Sequence, residues 1–307
     1  MSDILFHTGA YRALGGSVAK LIQAEVGTLE KRQFPDGERY LRMSTGVAGR
    51  DVVILGGTFT DSDTLELYDL ASGAVSLGAR SLTLVIPYFG YSTMERATRP
   101  GEIVTAKTRA RLISSIPVPA SGSRVVMLDL HAEGIPFYFE GTLRPVHLYA
   151  KSVLLEAIRS LGIEDTVLAC TDAGRAKWVE SLANDLGLDA GFIFKRRLSG
   201  EKTEVAAVSA RVAGQHVILY DDMIRTGSSL VGAARAYRDA GATRISAVAT
   251  HGVLPGESLE KVLGSGLFDT LICTDSHPRV LELHHPQLRV VSVAPVIARF
   301  LQGDGQA

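Results

Sequence analysis

Nine short apolar runs, rich in β-branched residues, recur along the chain: ILFHTG from residue 4, DVVILGG from 51, SLTLVIPYFG from 81, RVVMLDLH from 124, DTVLACTD from 165, HVILYDD from 216, RISAVATHG from 244, FDTLICTD from 268 and LRVVSVAP from 288. Most are separated by stretches of Ala, Leu, Arg and Glu at helical spacing, among them TLELYDLASGAVSLGA, AKWVESLANDLGL and SLVGAARAYRDAGA. Strands that bury both faces read as continuously apolar, and their alternation with helices marks parallel βαβ units. The pattern predicts an α/β protein. About four strands precede residue 145 and about five follow, with PVHLYAKSVLLEAIRSLG reading as the connection. Two similar α/β domains are therefore expected, over residues 1–145 and 146–307.

Open parallel sheets bind ligands beyond the carboxyl ends of their strands. Three runs end in polar or acidic residues at those ends: LDLH at 128–131, CTD at 170–172 and YDD at 220–222. The third continues as VILYDDMIRTGSSL, residues 217–230, before a helical stretch. Backbone N–H groups at such a strand-to-helix loop, with the hydroxyls of Thr226, Ser228 and Ser229, can cradle a phosphate, and Gly227 permits the close turn. Asp221 and Asp222 would repel that phosphate directly but can accept hydrogen bonds from the hydroxyls of a sugar attached to it, so a phosphorylated pentose fits both halves. The other reading of the same residues is an ordinary Ser- or Thr-capped turn with solvated acids.

Composition narrows the choice. At 307 residues and 46% hydrophobic, the chain can build two cores. A formal net charge of -1 offers no global positive field for nucleic acid or an anionic membrane. No segment approaches the roughly 18 uninterrupted apolar residues of a membrane span, and MSDILFHTGAYRALGG lacks the pattern of a signal peptide, so a cytoplasmic protein is expected. Cys170 and Cys273 are too few and too isolated for a disulfide framework or a zinc site.

At the stretch YDDMIRTGSS the chain resembles the motif shared by type I phosphoribosyltransferases and ribose-phosphate pyrophosphokinases, the PRPP synthetases. Six further segments occur in the order typical of the second family: KRQFPDGERYLR at 31–42, PYFGY at 87–91, PGEIVTAK at 100–107, LDLHAEGIPFYFEG at 128–141, CTDAG at 170–174 and FKRR at 194–197. A type I transferase would need only about one of the two halves.

The resemblance implies two type I phosphoribosyltransferase-like domains, each with a mainly parallel sheet flanked by helices. It implies transfer of the β,γ-diphosphoryl group of ATP to the 1-hydroxyl of ribose 5-phosphate, giving PRPP and AMP, with Mg²⁺ as cofactor. Carried onto this chain, Phe34 would pack on adenine, with Asp36, Glu38, Arg96 and His131 on the ATP side. Asp221, Asp222, Thr226, Gly227, Ser228 and Ser229 would hold ribose 5-phosphate, and Asp172, Ala173 and Gly174 would form the diphosphate loop. His131 and Asp172 match the residues around magnesium, and Lys195 and Arg197 the basic pair that introduces a mobile catalytic loop. A homo-oligomer, a dimer or hexamer, also follows from the resemblance.

Taken alone, FPDGE is strong turn chemistry, His131 a satisfied strand-end histidine, and FKRR a solvated basic turn. Departures from the family pattern also stand out. Thr93 and Met94 replace an Arg and a Gln, Ala173 replaces a His, and Arg225 replaces an acid in the phosphate loop. These leave open a larger 5-phosphoribosyl acceptor, another nucleotide donor, or an inactive regulatory homologue.

Overall fold

A computed structural model describes residues 4–199, 202–208 and 210–303, without the side chains of Ala173 and of residues 194–199 and 202–208. The chain divides into two compact units, Met1–Tyr149 with Val293–Ala307, and Ala150–Ser292.

The first unit contains β1 (Ile4–His7), β2 (Glu25–Val26), β3 (Leu29–Gln33), β4 (Arg39–Met43), β5 (Asp51–Leu55), β6 (Ser81–Ile86), β7 (Ser123–Leu128) and β8 (Arg144–Leu148). Its helices are α1 (Arg12–Ile22), α2 (Asp61–Ser76) and α3 (Thr105–Ser114). Six strands form one parallel sheet in the order β2-β1-β5-β6-β7-β8. Both faces are buried, as the apolar runs require. Ile4, Phe6, Ile54, Leu84 and Met127 pack with Leu67 and Ala71 of α2 and Ala110 of α3, while Leu5, Val53, Val85 and Val126 on the intervening positions are buried as well.

The second unit contains α4 (Lys151–Arg159), β9 (Thr166–Cys170), α5 (Ala176–Leu186), β10 (Asp189–Gly191), β11 (Ile193–Ser199), β12 (Lys202–Val208), β13 (His216–Ile224), α6 (Ser228–Asp239), β14 (Arg244–Gly252), α7 (Ser258–Leu263), β15 (Thr270–Thr274) and β16 (Leu288–Val291). Its parallel sheet runs β10-β9-β13-β14-β15-β16. Set β1 against β9 and the two sheets have the same connectivity, and each inserts one antiparallel hairpin, β3–β4 or β11–β12, at the same point of the chain order. The fold is thus α/β with an internal repeat.

Two details differ from the sequence reading. The segment read as a connection from residue 146 still forms β8, whose Leu148 pairs with Leu128, so the first unit runs through Tyr149. The last helix, α8 (Ala294–Leu301), packs on α1 and so returns the chain to the first unit, whereas the sequence division keeps it with the second half.

Candidate functional site

The acidic pair sits where one strand outlasts its neighbour. β9 pairs with β13 only as far as Cys170 and Tyr220, while β14 accompanies β13 on to Ile224 and Gly252. Asp221 and Asp222 therefore lie within β13, not at its end, with their β9 side open to the turn that follows Cys170. That turn reaches back to them. Thr171 Oγ1 donates to Asp221 Oδ2 at 2.9 Å, and the Asp222 N–H donates to Asp221 Oδ1 at 3.0 Å. Arg175 places Nε 3.1 Å and Nη2 2.6 Å from the two oxygens of the Asp222 carboxylate.

Two carboxylates on successive residues, largely out of water, cannot both be ionised cheaply. Burial first, and then the negative charge of Asp222, push the Asp221 carboxyl up to about 8. The guanidinium fork of Arg175 favours charge on Asp222, and burial beside that carboxylate raises Asp221. Asp172 is exposed beside them, with Oδ1 accepting the Gly174 N–H at 2.8 Å in the turn Ala173–Arg175.

Beyond the acids, β13 leads into α6 through Arg225, Thr226 and Gly227. Gly227 caps the helix with φ 72°, and a Cβ there would lie 2.1 Å from Val262 Cγ2, so this turn admits only glycine. Among the described residues no side chain caps α6, and its first turn has no acid, which leaves its first N–H groups available to an anion. Thr226, Ser228 and Ser229 are exposed around it, and Lys261 of α7 donates to Ser228 Oγ at 2.9 Å. The corresponding helix of the first unit is closed to an anion: Thr60 caps α2 by accepting from the Asp63 N–H at 3.0 Å, and Asp61 and Asp63 fill its first turn.

In the first unit, Phe34, Asp36 and Glu38 form the exposed turn of the β3–β4 hairpin. The Phe34 N–H donates to the Glu38 carbonyl at 2.8 Å, the Glu38 N–H to Asp36 Oδ1 at 3.1 Å, and the Phe34 ring stands edge-on to Tyr40. Phe34 is 48% exposed, an aromatic side chain largely open to solvent. Arg96 is exposed, 3.4 Å from Glu95, and His131 is half-buried just beyond β7. Lys195 and Arg197 pair through their backbone with Val205 and Thr203 on the β11–β12 hairpin, which puts the basic segment on a strand; their side chains, like that of Ala173, lie outside the described residues.

Among the described residues no group of three or more His, Cys, Asp or Glu side chains converges on a metal site. Mg²⁺ prefers oxygen ligands and retains waters. Asp172 is exposed, Asp222 is committed to Arg175, and Asp221 favours its proton. This donor set fits an ion carried mainly by substrate phosphates and water, not one held in a protein cage. Among the described residues no helix is long and apolar enough to cross a membrane.

The structure thus brings Asp172, Gly174, Asp221, Asp222 and the Thr226–Ser229 loop to one end of one sheet. Thr171, Arg175 and Lys261 join them and were not singled out in the sequence.

Comparison with known proteins covers nearly all of the chain. Residues 4–116 match the family model for the N-terminal domain of ribose phosphate pyrophosphokinase, and residues 167–302 that of the phosphoribosyl synthetase-associated domain. A ribose-phosphate pyrophosphokinase of Campylobacter jejuni is 33% identical over 301 residues, 97% of this chain and 94% of the relative. That of Synechococcus elongatus is 33% identical over 297 residues, 95% of this chain and 88% of the relative. The crystal structure of phosphoribosylpyrophosphate synthetase from Mycobacterium smegmatis superposes with a TM-score of 0.87 at 28% identity, covering 99% of this chain and 98% of that one.

Proposed function

The chain belongs to the ribose-phosphate pyrophosphokinase family, an enzyme class of transferases in nucleotide biosynthesis, and on that premise we propose that it moves the β,γ-diphosphoryl group of ATP to the 1-hydroxyl of ribose 5-phosphate. The observation that carries this reading is the pairing, on β13, of an uncapped, acid-free helix start with two carboxylates placed just before it. One half suits a phosphate and the other a vicinal diol, and ribose 5-phosphate has both.

In this reading the N–H groups at the start of α6, with Thr226, Gly227, Ser228, Ser229 and Lys261, take the 5-phosphate. Asp221 and Asp222 accept from the ribose hydroxyls, and the turn of Asp172, Ala173 and Gly174 receives the incoming diphosphate. The 1-hydroxyl oxygen bonds to the β-phosphorus, the bond from that phosphorus to the α,β-bridging oxygen breaks, AMP leaves and the hydroxyl proton passes to solvent. Little covalent work falls to the protein, so catalysis rests on positioning and on fixed positive charge, which Lys195 and Arg197 supply. Phe34, Asp36, Glu38, Arg96 and His131 hold ATP. Asp172 and His131 are the residues that would hold Mg²⁺, which would supply positive charge against the substrate phosphates.

We place the reaction in the cytoplasm and in a homo-oligomer, a dimer or hexamer. An exposed Arg225 beside the phosphate loop favours one further reading, a larger 5-phosphoribosyl acceptor with additional negative charge. Phosphorus NMR of the products tests both: equal amounts of AMP and a ribose 1-diphosphate from ribose 5-phosphate support the first, and turnover restricted to a larger acceptor supports the second.

A further inference from the structure

We propose that the first unit carries a second oxyanion site, a cleft for a phosphate group, at the place that the internal repeat relates to the Thr171–Arg175 turn of the second unit. It goes beyond the transfer reaction and does not depend on it.

The correspondence is fixed by strand register. Ile4 pairs with Glu25 on one side and Val52 on the other, as Val167 pairs with Asp189 and Val217. Counting along the matched strands sets Thr8 on Thr171, Gly9 on Asp172 and Arg12 on Arg175, and sets Gly56 and Gly57 on Asp221 and Asp222. The hairpins agree. Lys31 is the third residue of β3 and Lys195 the third of β11, each four residues after a glycine, Gly27 or Gly191. Thus Thr8, Arg12 and Lys31 repeat the residue types of the second unit, while glycines stand in place of both carboxylates.

One buried atom marks the difference. In the second unit the Thr171 hydroxyl donates to Asp221. In the first, Thr8 is fully buried and its Oγ1 has no hydrogen-bond partner among the described residues. A Cβ at Gly56 would stand 3.3 Å from that oxygen and 2.7 Å from Thr8 Cγ2, so the absent side chain belongs where the hydroxyl lies.

Without the acids the place is positive. His7, Arg12 and Lys31, with Gly9, Gly27 and Leu29, line a cleft of about 430 Å³. His7 Nδ1 donates to the Thr8 carbonyl at 3.0 Å. Arg12 is exposed and forms no ion pair or hydrogen bond among the described residues. One anion is already built in. Glu66 accepts from Lys31 Nζ, and its Oε1 lies 3.4 Å from the Gly9 N–H, with Arg39 3.7 Å from Oε2. A side-chain cation and a backbone N–H therefore converge on one oxygen anion, and the unpaired Arg12 stands ready for a second. With glycines in place of the two carboxylates and Glu66 engaged by Lys31, Arg39 and the Gly9 N–H, the recognised group is phosphate itself, free or at the end of a nucleotide.

Titration calorimetry on the full chain tests this, with inorganic phosphate in one arm and ADP in the other. Phosphate binding is expected in two classes. Arg12→Gln and, separately, Lys31→Gln weaken one class by about tenfold or more and leave the other in place. Lys261→Gln, beside the α6 loop, does the reverse, and Glu66→Gln tightens the class that Arg12 serves. Binding of ADP with the same dependence on Arg12 assigns the cleft to a nucleotide phosphate; phosphate binding alone assigns it to the free anion. Unchanged phosphate binding in both Arg12→Gln and Lys31→Gln overturns the proposal. Because the readout is binding without turnover, a failure of the transfer reading leaves this result intact, and the reverse also holds.

Discussion

Arg175 grips Asp222 at two points, Nε 3.1 Å from Oδ1 and Nη2 2.6 Å from Oδ2, where the carboxylate side chain is only 4% exposed. A fork of this kind holds a buried charge and its geometry together, and removal of either partner strands the other. Arg175→Gln is therefore expected to cost about 3 kcal/mol of stability and to abolish acceptor-dependent turnover. Asp222→Asn, which removes the charge that needs the guanidinium, costs less stability in the Arg175→Gln background than alone. Thermal unfolding of the two single variants and the double variant checks the coupling.

Asp221 gives a pH dependence of definite sign. Its folded-state pKa is raised, to about 8, so between the ordinary carboxylate range and that value the folded chain binds a proton that the unfolded chain has lost. Its contribution to stability is full below the ordinary range and is lost as pH rises toward 8. Asp221→Asn removes this term, and its denaturation midpoint should decline less than that of the wild type across the same window. An equal decline in both proteins contradicts the assignment.

Lys261 donates to Ser228 Oγ at the start of α6, where a 5-phosphate is expected. Lys261→Gln should raise KM for ribose 5-phosphate by roughly tenfold with kcat nearly unchanged, since the contact is the same before and during the reaction. Gly227→Ala tests the loop itself. Its Cβ meets Val262 at φ 72°, so both stability, by about 2 kcal/mol, and acceptor binding should fall.

Lys195 and Arg197 have the opposite signature. A cation that acts on charge developing in the transition state lowers kcat with little effect on KM, so either residue changed to Ala should reduce kcat roughly a hundredfold or more. Initial rates at saturating ATP and ribose 5-phosphate decide it.

Eight of the nine apolar runs were legible because they fall on strands buried on both faces, where polar positions are few; the ninth falls on β16, a partly exposed edge strand. The strands they missed are at edges or outside the sheets. β2 has two residues, both exposed, and β8 is interrupted by Pro145, which an edge strand tolerates. The hairpin β3–β4 is mostly polar and half-exposed, and the three apolar residues it packs on the core, Leu29, Leu41 and Met43, are only partly buried. Chain-local features of the candidate site, such as the acids followed by a glycine and hydroxyl loop, could be read in order. Arg175 and Lys261 could not: their partners lie 47 and 33 residues away, and only the fold brings a lone Arg or Lys to a carboxylate or a helix start. The double glycine of GGTFT stands where the second unit has its two acids, a correspondence visible only from the register of β1 with β5 and β9 with β13.

The most direct test is the initial rate of AMP release from ATP and Mg²⁺ with and without ribose 5-phosphate, measured on the wild type and on Asp221→Ala. The account predicts AMP formation that requires ribose 5-phosphate and disappears in the variant. AMP release that ignores ribose 5-phosphate, or that survives loss of Asp221 at the wild-type rate, would contradict it.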